Sequence, residues 1–121
     1  MIRVVIADDH AVARLGLRAL LSSAPDIGLV GEGASGEEAL RLCADHQPDV
    51  LVIDLSMRGL DGLDAIRELS RRPSPPRILT LTMHEEEDYL IPSLEAGANG
   101  YIMKSAASAT LLEAIRAVAR G

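Results

Sequence analysis

Short apolar runs of strand length alternate along the chain with longer segments whose apolar residues recur at helical spacing. Residues 2–7, IRVVIA, form a β-branched run; residues 27–33 form a weaker second one. Residues 49–54 contain VLVI, a run suited to burial on both faces of a sheet. Residues 77–82 and 99–103 complete five predicted strands. Between them, residues 11–23, 35–46, 63–72, 85–96 and 108–120 read as helices. Ser35 caps the second of these, with Glu38 placed for a capping box. Pro73, Pro75 and Pro76 end the third, and Gly97 ends the fourth. Ser108 is the expected cap of the last, with Gly121 just past its end. Pro92 sits inside the fourth helical segment, where it removes a hydrogen bond and crowds the preceding turn. That helix is therefore expected to start late or to kink near residues 88–92.

Five strand–helix units in strict alternation predict one α/β domain, with a parallel sheet covered on both faces and right-handed crossovers. Ligands in such sheets bind beyond the carboxyl ends of the strands. At those ends the chain places Asp8 and Asp9, Asp54, Thr82 and Lys104. Taken singly, each has an ordinary reading as a helix cap, turn residue, strand residue or solvated lysine. Together they form a chemical set. Three neighbouring carboxylates repel one another and call for a cation. Mg²⁺ suits them, being a hard ion that takes oxygen ligands. A carboxylate can also attack phosphorus, and phosphoryl transfer needs little beyond positioning and charge neutralisation. Lys104 and Thr82 can each hold a phosphoryl oxygen.

Composition narrows the picture. The 121 residues suit one domain, and with two tyrosines as its only aromatics the core must be aliphatic. The net charge of −6 lacks the basic footprint of a nucleic-acid binder. Cys43 is the only cysteine, which excludes an internal disulfide and fits a reducing cytoplasm; it reads as a small apolar helix residue. No signal peptide and no membrane-length apolar run is present, so a cytoplasmic location and no membrane partner are expected. His10, His46 and His84 show no metal-ligand spacing, so no histidine-bound metal is expected. His10 is placed at a helix start and His46 on the surface. The acidic run 85–88 reads as a solvated first helical turn.

The stretches VVIADDH, DVLVIDLSMRGLDGL, ILTLTMHEEE and AGANGYIMKSA resemble the receiver domains of bacterial two-component response regulators, most of all the NarL/FixJ (LuxR-type) subfamily. The resemblance covers essentially the whole chain. It implies a flavodoxin-like (CheY-like) three-layer sandwich, with a five-stranded parallel sheet of order 2-1-3-4-5 and five helices. It implies that Asp54 is the phosphoacceptor, and that Asp9, Asp54 and the Ser56 backbone carbonyl ligate Mg²⁺, with Asp8 acting through a water. Lys104 would pair with the phosphoryl group or Asp54. Thr82 and Tyr101 would switch a surface of the fourth helix, fifth strand and fifth helix. The implied partner is a sensor histidine kinase. DNA would be reached only through a C-terminal domain outside this chain, and a homodimer is compatible with the family. Phosphorylation by small donors and self-dephosphorylation are expected, rather than turnover of a metabolite.

Two positions depart from the pattern: Arg58 stands where receivers commonly have Pro, and Met83 where they have a small residue. With His84 they form the expected rim of the site, and Met83 is expected to slow phosphorylation by small donors. The competing readings are a pseudo-receiver that binds partners without phosphorylation, a Mg²⁺-dependent aspartyl-phosphate phosphohydrolase and, remotely, a nucleotide-binding domain. Ser56 stands where some such hydrolases carry a second Asp, and no phosphate-binding glycine loop is present.

Overall fold

The computed structural model describes residues 1–55, 62–82 and 90–121. Among these, five parallel strands, β1 (Ile2–Ala7), β2 (Ile27–Gly33), β3 (Val50–Asp54), β4 (Arg77–Thr82) and β5 (Gly100–Met103), form one sheet of order β2-β1-β3-β4-β5. The helices are α1 (Ala11–Ser22), α2 (Gly36–His46), α3 (Gly62–Ser70), α4 (Leu90–Ala96) and α5 (Ala107–Arg120). This is the α/β sandwich and strand order that the alternating pattern and the resemblance imply.

Strand alternation divides the core into two layers. Val5, Ala7, Leu51, Ile53 and Ile78 pack on one face against Ala39 and Cys43 of α2 and Leu63, Ile66 and Leu69 of α3. Val4, Ile6, Val50, Val52, Leu79 and Leu81 pack on the other against Leu17 and Leu21 of α1 and Leu111 and Ile115 of α5. Neighbouring strand residues point to opposite faces, so a strand buried on both sides must be apolar throughout, as β3 is. Each large aliphatic side chain here contributes about 1.5–3 kcal/mol by leaving water.

The helix ends follow local chemistry. Ser35 Oγ accepts the Glu38 N–H at 3.1 Å, while Glu38 Oε1 accepts the Ala34 N–H at 2.8 Å. The expected reciprocal cap is thus present, reaching one residue further back than usual. α4 ends in a left-handed turn at Gly97, with φ +126°. Its N–H donates to the Leu94 carbonyl and that of Ala98 to Ser93, which satisfies carbonyls the helix leaves open.

Several sequence expectations need correction. Ser108 does not cap α5: a 3₁₀ turn at Lys104–Ala106 leads straight into the helix, whose N-cap is Ala106. Ser108 therefore lies inside the first turn. α3 begins one residue earlier than expected and ends at Ser70. His46 is half-buried rather than exposed. Pro92 is the third described residue of α4. The expected late start or kink of that helix, and the acidic run before it, involve residues outside the described set.

Candidate functional site

Parallel pairing sets the strand ends level. Ala7 pairs with Ile53, Asp54 with Leu81, and Thr82 with Met103. Asp8, Asp54, Thr82 and Lys104 consequently emerge along one edge of the sheet. No single local signal could place them together; the register does.

Asp8 and Asp54 are fully buried, and Lys104 is 17% exposed. The Lys104 ammonium donates to Asp54 Oδ2 at 2.9 Å and lies 3.1 Å from Asp8 Oδ2. One cation thus bridges the ends of β1 and β3 from the end of β5. Burial by itself lowers the Lys104 pKa, but the Asp54 hydrogen bond and the charges of Asp54 and Asp8 outweigh it and raise it. A cavity of about 160 Å³ lined by Ala13, Leu17, Leu81 and Ala107 adjoins Asp8 and Lys104.

The Asp8–Asp9 turn is fixed from several sides. The Asp8 N–H donates to the Gly33 carbonyl at 3.0 Å, and Asp8 Oδ1 accepts the His10 N–H at 2.9 Å. Arg14 Nη1, one turn into α1, donates to the Asp8 carbonyl at 2.6 Å. Arg14 is the residue that reading the sequence passed over. His10 Nδ1 stands 3.1 Å from Asp9 Oδ1 and 3.2 Å from Asp8 Oδ1. His10 stands at the N-cap of α1, the helix start where the sequence put it, and its ring also reaches the acidic pair. The signal was its direct succession to the Asp pair, since a helix cap shares the mouth of the strand it follows.

Asp8, Asp9, His10 and Asp54 each offer a donor atom, all within 4.8 Å of one another. Three carboxylates against one ammonium leave a charge of −2 with His10 neutral, which a divalent cation would cancel. Oxygen-rich, partly buried donors of this kind fit Mg²⁺. Thr82 is fully buried, and its hydroxyl makes no hydrogen bond among the described residues. Tyr101 pairs with Thr80 in the β4–β5 ladder and stands half-buried on the same sheet face as Thr82. Ser56, Arg58, Met83 and His84 lie outside the described residues. Cys43 is a buried core residue whose thiol burial pushes up to about 11, in keeping with a packing role.

Comparison with known proteins is consistent in every direction. Residues 4–116 match the family described as response regulator receiver domain. The transcriptional regulatory protein LiaR of Bacillus subtilis is 42% identical over 121 residues, covering 100% of this chain and 57% of that protein. The oxygen regulatory protein NreC of Staphylococcus haemolyticus is 44% identical over 120 residues, covering 98% of this chain and 55% of that protein. A solved two-component response regulator of the LuxR family from Aurantimonas sp. superposes with a TM-score of 0.93 at 37% identity, over 100% of this chain and 86% of that one. The chain spans little more than half the length of LiaR and NreC.

Proposed function

The chain belongs to the response regulator receiver domains of two-component systems, of the NarL/FixJ type, and from that premise we propose that Asp54 accepts a phosphoryl group from a sensor histidine kinase with the help of Mg²⁺. The observation that carries this reading is the buried Asp54 carboxylate held at 2.9 Å by Lys104 beside Asp8 and Asp9.

An Asp54 oxygen attacks the phosphorus of a phosphohistidine. The P–N bond breaks as the aspartyl P–O bond forms, and the imidazole leaves with the bonding pair to take a proton from solvent. Asp9, Asp54 and the Ser56 carbonyl would hold Mg²⁺, with Asp8 acting through a water, and the ion supplies charge neutralisation to the phosphoryl oxygens. Lys104 transfers its hydrogen bond from Asp54 to an incoming phosphoryl oxygen, so its positive charge stays in the site. The Thr82 hydroxyl donates to another of these oxygens. Tyr101, on the same face, follows that movement and alters the surface of α4, β5 and α5. LiaR and NreC are named as regulatory proteins and extend beyond the region they share with this chain. On that basis the whole molecule couples this domain to a DNA-binding output in the cytoplasm, with dimerisation as a means of control.

Intact mass spectrometry tests the assignment. Incubation with Mg²⁺ and acetyl phosphate is expected to add one phosphoryl group to the wild type and none to Asp54→Asn. No adduct on the wild type, with either acetyl phosphate or a phosphorylated kinase, would favour a pseudo-receiver. Multiple-turnover release of phosphate from a metabolite would favour a hydrolase.

A further inference from the structure

His10 adds a nitrogen to a donor set otherwise made of oxygen. Its Nδ1 lies 3.1 Å from Asp9 Oδ1, 3.2 Å from Asp8 Oδ1 and 3.9 Å from Asp54 Oδ2. An octahedral ion with ligands at about 2.1 Å places cis donors about 3.0 Å apart and trans donors about 4.2 Å apart. The Asp9 separation matches a cis edge and the Asp54 separation approaches a trans diagonal, while Asp8 Oδ1 accepts the His10 N–H. The spacing is thus that of ligands around one small cation.

The backbone at His10 is held in place. Its N–H donates to Asp8 Oδ1, and its carbonyl accepts the Arg14 N–H at 3.0 Å. The ring, by contrast, is 64% exposed and can turn aside without disturbing the core. Asp8 Oδ2 is buried and, among the described residues, accepts no hydrogen bond and lies 3.1 Å from the Lys104 ammonium. The site therefore keeps electron-rich capacity toward a cation beyond what Lys104 satisfies.

We propose that His10 Nδ1 is a further ligand of the divalent-ion site and makes it favour first-row transition ions over Mg²⁺. The inference rests on the acidic site's binding a divalent ion, as proposed above, and extends it to ion selectivity. Imidazole suits these ions, whereas Mg²⁺ prefers carboxylate, carbonyl and water oxygen. With Mg²⁺ bound, the exposed ring yields its place to water; with a nitrogen-preferring ion it stays. The same distances also suit an imidazole N–H shared between two carboxylates. That arrangement has the opposite consequence: removing the ring would free the carboxylates and tighten binding of every divalent ion.

Calorimetric titration of the untagged protein with Mg²⁺ and with Co²⁺ separates these cases, alongside NMR of the Co²⁺ form. His10→Ala and His10→Asn are expected to weaken Co²⁺ binding by about tenfold or more and Mg²⁺ by less than about threefold. Both variants should lose a hyperfine-shifted exchangeable imidazole resonance that the wild type shows. Asn is a good helix cap, so its agreement with Ala assigns the loss to ligation rather than to α1. Asp9→Asn should weaken both ions. Unchanged or tighter Co²⁺ binding in the His10 variants, or survival of the shifted resonance, overturns the inference while the acidic site stands. A wild type that binds neither ion overturns both readings.

Discussion

Thr82 places a polar group at the buried carboxyl end of β4. Its hydroxyl is fully buried and makes no hydrogen bond among the described residues. A buried hydroxyl without a partner costs free energy, and an isosteric methyl in its place is neutral or favourable. Thr82→Val is therefore expected to leave the urea midpoint unchanged or to raise stability by up to about 1 kcal/mol. It should still be phosphorylated at Asp54 yet show a smaller response of β5 and α5 amide shifts to a phosphoryl mimic. A loss of stability above about 1 kcal/mol would mean that the hydroxyl is already satisfied in the resting protein. The identity of this residue could be read from its place at the end of an apolar run. Its lack of a partner could not, because that depends on what the sheet and the neighbouring helices bring near it.

The join between α4 and β5 is the least forgiving element boundary. Gly97 has φ +126°, and a Cβ there would run into the Ser70 hydroxyl on α3. Its N–H and that of Ala98 close the helix end. Gly97→Ala is expected to destabilise the domain by about 2 kcal/mol or more, through backbone strain plus the collision. Adding Ser70→Ala should recover only the part of the collision that the hydroxyl makes, since the Ser70 Cβ also lies 2.8 Å from the added Cβ. Denaturant titration of both variants checks this, and full recovery in the double variant would show that the backbone angle costs nothing. Helix ends of this kind were partly legible: Gly97 and the Ser35 cap were found from residue type. Ser108 was misplaced because a 3₁₀ turn at Lys104–Ala106 runs straight into α5, so that Ala106 takes the N-cap place.

At the scale of the molecule, Lys104 fastens three strand ends to one another. Its ammonium links Asp8 after β1 and Asp54 of β3 to the end of β5. Because its pKa is raised in the folded protein, the stability it contributes is fully present below the unfolded value of about 10.4. That stability is lost as pH rises through the higher folded value. Denaturant midpoints are thus expected to fall more steeply above about pH 10.4 in the wild type than in Lys104→Met. Parallel alkaline curves would show that the lysine does not fasten the sheet. No helix among the described residues is long and apolar enough to cross a membrane.

The sequence by itself determined the α/β class, the order of elements and the chemical types at the strand ends. Hydrophobic period and turn residues act locally and leave their mark on neighbouring positions. Only the tertiary structure decided that Asp8, Asp9, Asp54 and Lys104 meet, and that His10 joins them. Their meeting depends on parallel register between strands distant in sequence and on side-chain direction at a helix cap, which no local pattern encodes.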